Sequence, residues 1–163
     1  MSGQPVETAR VEPTATERLA ILRRSRTVAI VGASDNPSRA SYFVATYLLA
    51  SSPYEVWFVN PRLSEILGRP VYPSLADLPG APDIVDVFRR ISDVPAVLDE
   101  AIAAHAKVFW LQLGLRDDAT AERGVAAGLE VVQNRCLKIE HARFHGGLHL
   151  AGFNTGVISS RRP

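Results

Sequence analysis

Five residues, Thr27-Val28-Ala29-Ile30-Val31, followed at once by Gly32, constrain this chain more than any other stretch. A short β-branched, apolar run of this kind reads as a strand buried on both faces of a parallel sheet. Gly32 stops it, small polar residues follow, and the pattern from Arg39 to Ala50 is helical. A buried strand that passes through a glycine turn into a helix brings unpaired N–H groups and the positive end of the helix dipole to one place, which suits an anion. The stretch therefore predicts the phosphate-binding turn of a nucleotide-binding α/β fold. It is not the dinucleotide fingerprint G-x-G-x-x-G, because Ser34 and Pro37 stand where the second and third glycines belong. Ser34 and Ser38 would supply hydroxyls instead, and Arg39 a charge. An ordinary βα connection closed by an Asx or Ser/Thr turn is the alternative reading of the same residues.

The rest of the chain repeats the alternation. Thr14 or Thr16 caps a helix to about Arg24, with Leu19, Ile21 and Leu22 as its apolar residues. A helix over about Ala40–Ala50 presents Tyr42, Phe43, Tyr47 and Leu48. Further strands are expected at Glu55–Val59, Asp83–Phe88, Lys107–Leu111 and Glu130–Val132. Between them, Gly68-Arg69-Pro70 reads as a turn, Val71-Tyr72 as a short extended piece and Ser74–Leu78 as a helical turn capped by Ser74. Ser92 or Asp93 caps a helix of about Val94–His105. Asp117–Ala127 is a helix ended by Gly128, and a last helix runs Leu137–Phe144 to a stop at Gly146-Gly147. This spacing predicts an α/β fold with a five-stranded, mostly parallel sheet and helices on both faces, in three αβα layers. Residues 1–13 are expected as a poorly ordered tail, 14–146 as the single domain and 147–163 as an irregular C-terminal extension.

At 163 residues the chain can bury a core without staples. Its net charge of +1 argues against a nucleic-acid or membrane partner, since both need a concentrated basic surface. One cysteine, Cys136, excludes an intrachain disulfide framework and suits a reducing cytosol. No apolar run reaches the ~18 residues of a spanning helix, and the N-terminus lacks the apolar segment of a secretion signal. The expected location is cytoplasmic.

In open parallel sheets ligands sit beyond the carboxyl ends of the strands. An NAD site wants an acid at the end of the second strand, whereas this chain has Asn60-Pro61-Arg62. Arginine suits a ribose with an extra phosphate, as in NADP or coenzyme A, although a turn with a solvated arginine fits the same residues. Phe88-Arg89-Arg90 ends the next strand. An arginine there can meet phosphate and the ring can line a channel, or Phe88 is core and the arginines are solvated or paired with Asp86 and Asp93. After Trp110, Gln112 offers an amide and Gly114 permits close backbone approach.

These residues carry a family resemblance. Val31-Gly32-Ala33-Ser34 with Asn36-Pro37-Ser38-Arg39 resembles the CoA-binding domain family, in particular its stand-alone YccU-like members. So do Val59-Asn60-Pro61, Val71-Tyr72-Pro73-Ser74-Leu75, Asp86-Val87-Phe88-Arg89, Trp110-Leu111-Gln112-Leu113-Gly114, and Arg135-Cys136 with Ile139-Glu140-His141. The resemblance runs in unbroken order over about Leu19–Phe144. It implies a Rossmann-like domain similar to the N-terminal domain of the succinyl-CoA synthetase α subunit, with CoA or acyl-CoA as the ligand. By analogy Gly32, Ala33, Ser34, Asn36 and Arg39 would hold phosphates, and Asn60, Pro61 and Arg62 would border the adenosine. Phe88, Arg89, Gln112 and Gly114 would line the pantetheine path. One departure is Gln133-Asn134, where the family usually carries an aspartate.

No catalytic residue is assigned. The synthetases' phosphoryl-carrying histidine belongs to a domain this chain lacks, so His141 is not evidence of that chemistry. His141 and His145 stand one helical turn apart beside Glu140, but Gly146-Gly147 separates them from His149, and no metal is expected. Cys136 is either a buried inert thiol or a partner for CoA in a mixed disulfide. The expectation is a small-molecule CoA-binding module, with an oligomer or protein partner compatible with it. An NADP-binding oxidoreductase or redox sensor, and an interaction module with a vestigial nucleotide site, are the alternatives.

Overall fold

The computed structural model describes residues 12–145. Within it, α1 (Ala15–Arg24) opens with a capping box: the Thr14 hydroxyl accepts the Glu17 N–H, and the Glu17 carboxylate accepts the Thr14 N–H. The elements that follow are β1 (Thr27–Val31), α2 (Ala40–Ser51), β2 (Glu55–Val59), β3 (Glu65–Ile66) and β4 (Arg69–Tyr72). Then come β5 (Ile84–Val87), α3 (Val94–Ala103), β6 (Val108–Leu111), α4 (Asp118–Ala126), β7 (Glu130–Val132) and α5 (Leu137–His145). The expected tail of residues 1–13 lies almost wholly outside the described residues. Gly146-Gly147, His149 and the C-terminal extension lie wholly outside them.

The sheet order is β3-β4-β2-β1-β5-β6-β7. Every pairing from β4 to β7 is parallel, and only β3 runs antiparallel to its neighbour. The fold is Rossmann-like, with seven strands rather than five. The two additional strands form a hairpin closed by Leu67 and Gly68, both at positive φ (51° and 74°), the conformation a two-residue hairpin turn requires. Gly68-Arg69-Pro70 is thus not the turn: Arg69 and Pro70 already pair with Ile66 and Glu65. Ser74 precedes a 3-10 turn (Leu75–Asp77), but its hydroxyl donates to the Asp77 carboxylate rather than capping the backbone.

Alternation along each parallel strand sends side chains into two apolar layers. Val28, Ile30, Phe58, Ile84 and Trp110 pack with Ile21 of α1, Val44 and Leu48 of α2, and Leu137 of α5. Ala29, Val31, Val85, Val87, Phe109 and Leu111 pack with Val97 and Leu98 of α3 and Ala121 of α4. The three layers are therefore α1/α2/α5, sheet, and α3/α4. Of the expected apolar residues of α2, Leu48 is buried and Tyr47 packs at the margin of the layer, but Phe43 points away. Ser41, Val44, Ala45 and Leu48 meet the sheet, while Phe43 is 59% exposed beneath the Lys138 ammonium, 5.2 Å from the ring centroid. Small residues let the helix axis approach the strands, and the aromatic rings go to the periphery.

The chain builds outward from β1 to β2 and β4, then returns to the other side of β1 at β5. The carboxyl ends of β1 and β5 therefore flank the point where strand order reverses, the usual place for a ligand crevice in open α/β sheets. Among the described residues no helix is long and apolar enough to cross a membrane.

Candidate functional site

The β1–α2 turn is drawn tightly onto its two neighbours. The N–H groups of Gly32 and Ala33 both donate to the Val59 carbonyl of β2, at 3.1 and 3.3 Å. On the other side the Phe88 N–H donates to the Val31 carbonyl at 2.8 Å. Gly32 sits at φ +85°, and a Cβ added there would lie 2.3 Å from the Phe88 carbonyl oxygen. Glycine is demanded here twice, by backbone conformation and by the approach of β5.

Beyond Gly32 the polar side chains shape the turn. The Ser34 hydroxyl accepts the Asn36 N–H, and the Asn36 carboxamide oxygen accepts both the N–H and the hydroxyl of Ser38. The Arg39 N–H closes onto the Asn36 carbonyl. These are the Asx and Ser/Thr turns of the plainer sequence reading, and they deliver the chain to α2. That helix has no side-chain cap and no acid in its first turn, so its N-terminal end keeps its positive potential. The guanidinium of Arg39, at the N-cap position, has no partner among the described residues.

Asn60 ties β2 to this turn. Its amide donates to the Ala33 carbonyl at 2.8 Å, and its carboxamide oxygen accepts the Arg62 N–H at 2.7 Å. Pro61 and Arg62 are exposed, and the Arg62 guanidinium has no partner among the described residues. Gly32, Ala33, Asn60 and Phe88 therefore meet at one edge, with Arg39 and Arg62 carried on the same loops. Phe88 is partly buried against the α1/α2/α5 layer. Arg89 pairs with Asp93 at 3.2 Å, whereas Asp86 pairs with no arginine.

Gln112 and Gly114 lie at the end of β6, two strands from β1 and so about 10 Å away at the usual strand spacing. Gln112 is 6% exposed, and its carboxamide oxygen accepts the Leu137 N–H at the start of α5. Gly114 (φ +91°) gives its N–H to Asn134, and nothing lies within 4 Å of the place a Cβ would occupy. Conformation, not close approach, explains this glycine. Gln133 and Asn134, where the resemblance leads one to expect an acid, are clamps. The Gln133 carboxamide accepts the Asp117 N–H and donates to the Asp118 carboxylate, and Asn134 holds the β6–α4 loop.

Cys136 is partly buried, immediately before α5. His141 is buried, with Nδ1 2.8 Å from the Tyr47 hydroxyl. Its neighbour Glu140 is also buried and holds the Arg18 guanidinium at 2.6 Å. Among the described residues no three His, Cys, Asp or Glu side chains cluster as metal ligands.

Sequence reasoning entered one residue near this edge, Asp86, only as a possible partner of the neighbouring arginines. Asp86 is fully buried, neither carboxyl oxygen has a hydrogen-bond partner, and burial pushes its pKa well above the ordinary carboxylate value. The signal was an acid inside an otherwise apolar run, Ile84-Val85-Asp86-Val87, that must be buried on both faces.

Residues 26–142 match the model of a protein family described as a CoA binding domain. A protein of Bacillus subtilis (strain 168), YneT, is 38% identical over 130 residues, which span 80% of this chain and 96% of that one. The solved structure of a hypothetical protein from Pyrococcus horikoshii OT3 superposes with a TM-score of 0.79 at 35% identity, covering 90% of this chain and 99% of the other. The apo dinucleotide-forming acetyl-coenzyme A synthetase 1 of Ca. Korarchaeum cryptofilum shares the fold over 64% of this chain and 25% of its own. Its TM-score is 0.59, at 23% identity.

Proposed function

The chain belongs to the CoA binding domain family, and on that premise we propose that the crevice at the β1/β5 switch point binds coenzyme A or an acyl-CoA, as a binding module without catalysis of its own. The observation that carries the reading is the end of the β1–α2 turn. An uncapped helix N-terminus with no acid in its first turn has Arg39 at its N-cap, Arg62 follows the strand end that Asn60 ties to the same turn, and neither guanidinium has a partner among the described residues. Such donors suit an anion with several phosphoryl groups. Gly32, Ala33, Ser34, Asn36 and Ser38 form the turn on which the diphosphate rests, and Arg39 supplies charge. Asn60 and Pro61 border the adenosine, with Arg62 on its 3′-phosphate. Phe88 and Arg89 begin the path of the pantetheine arm, and Gln112 and Gly114 lie at its far side.

Calorimetric titration with CoA, dephospho-CoA and NADPH tests this reading. CoA should bind, removal of the 3′-phosphate should weaken binding, and Arg62→Ala should lower CoA affinity by about 1–3 kcal/mol while leaving dephospho-CoA unaffected. Equal affinities for CoA and dephospho-CoA would remove Arg62 from the site. Binding of NADPH in preference to CoA would replace the reading with the oxidoreductase alternative, which the same arginine permits.

A further inference from the structure

Asp86 is the second residue from the end of β5, in register with Ile30 of β1 and Trp110 of β6. Those partners, with Ile84, belong to the apolar layer beneath α1, α2 and α5, so the carboxyl projects into that layer. Its oxygens are buried without a partner. An unsatisfied buried carboxyl is costly, and native proteins keep such groups where something else is to meet them. Phe88 follows on the same face, nearer the carboxyl end of the strand, partly exposed and packed on the same layer. Ser41, in the first turn of α2, shares the buried helix face of Val44, Ala45 and Leu48, and its hydroxyl also lacks a partner among the described residues.

We propose that Asp86 contacts the ligand of this crevice, donating a hydrogen bond to the carbonyl oxygen of an acyl thioester, so that the chain selects acyl-CoA over the free thiol. The inference rests on the CoA reading above. Burial in an apolar layer without a partner favours the protonated carboxyl, which has one O–H to give. Ile30 and Trp110 flank the carboxyl in register and Phe88 follows it on the same face, apolar surroundings that suit the uncharged end of the pantetheine arm and not its phosphates. That end is either a thiol, a weak hydrogen-bonding group, or a thioester, whose carbonyl oxygen accepts. The thioester is the better match to a carboxyl donor.

The test is calorimetric titration of the full chain with CoA and with acetyl-CoA, using wild type, Asp86→Asn and Asp86→Val. Wild type should bind acetyl-CoA about tenfold more tightly than CoA, the worth of one buried hydrogen bond. Asp86→Asn, whose amide still donates, should keep most of that preference, and Asp86→Val should bring the two affinities together. Equal affinities in wild type, or an undiminished preference in Asp86→Val, overturn the assignment and leave the CoA reading standing. Failure of both ligands to bind wild type overturns the two together. Should the valine variant not fold, infrared spectra of wild type with carbonyl-labelled acetyl-CoA decide the matter. The thioester carbonyl stretch should fall on binding, and an unshifted band overturns the proposal.

Discussion

Replacing Gly32 by alanine probes the junction on which the whole edge depends. Two separable costs follow from the geometry. Holding an L-residue at φ +85° costs about 1–2 kcal/mol. The new Cβ would also lie 2.3 Å from the Phe88 carbonyl oxygen and 2.9 Å from its carbon. Carbon–oxygen contacts normally settle near 3.3–3.6 Å, so the end of β5 must retreat by about 1 Å. That movement strains the Phe88 N–H bond to Val31, and overpacking of this order adds about 1–3 kcal/mol. Gly114→Ala is the matched control, with a similar φ of +91° and open space around the added carbon, so it carries the conformational cost alone. Urea denaturation of the two variants should therefore place Gly32→Ala about 1–3 kcal/mol below Gly114→Ala. Equal losses, or a loss below about 1 kcal/mol for Gly32→Ala, would refute the reasoning.

Other consequences are as specific. The neutral, buried Asp86 makes stability greatest below the unfolded carboxylate pKa of about 3.9 and erodes it as pH rises toward the elevated folded value, because only the unfolded chain then releases the proton. Melting curves at several pH values should show Asp86→Asn gaining on wild type from acid to neutral pH, and parallel curves would contradict the burial argument. Glu140→Gln strips the buried Arg18 guanidinium of its counter-charge and should cost about 3–5 kcal/mol in chemical denaturation, with replacement of both residues by apolar ones costing less. Asn60→Ala removes the bonds to Ala33 and Arg62 and should lower stability by about 1–3 kcal/mol, together with a weaker CoA titration.

Five strands were legible from residues alone because strands buried on both faces read as apolar β-branched runs, and Glu130–Val132 coincides with β7. Of the β3–β4 hairpin only the extended Val71-Tyr72, now the end of β4, was legible. Its strands are two and four residues long and carry Glu65 and Arg69, and its turn places Leu67, a residue that rarely adopts positive φ, at 51°. On α2 the sequence placed Leu48 correctly but misjudged Phe43, because hydrophobicity ranks Phe43 above Ser41 while packing against a sheet rewards the smaller side chain. At the site, composition pointed to the turn and to both arginines. It offered the Asx and Ser/Thr turns of Ser34, Asn36 and Ser38 only as one of two readings, and it could not disclose that Gln133 and Asn134 are structural clamps. Asp86 was visible as an acid in an apolar run, but only the fold shows that no arginine reaches it.

The central claim is that coenzyme A binds at the carboxyl ends of β1, β2 and β5. Amide chemical-shift mapping by NMR on addition of CoA tests it most directly. The expected result is a continuous set of shifts over Gly32–Arg39, Asn60–Arg62 and Phe88–Arg89, with the opposite ends of the same strands, at Thr27, Glu55 and Ile84, unmoved. Shifts confined to those opposite ends, or none at saturating CoA, would contradict the account.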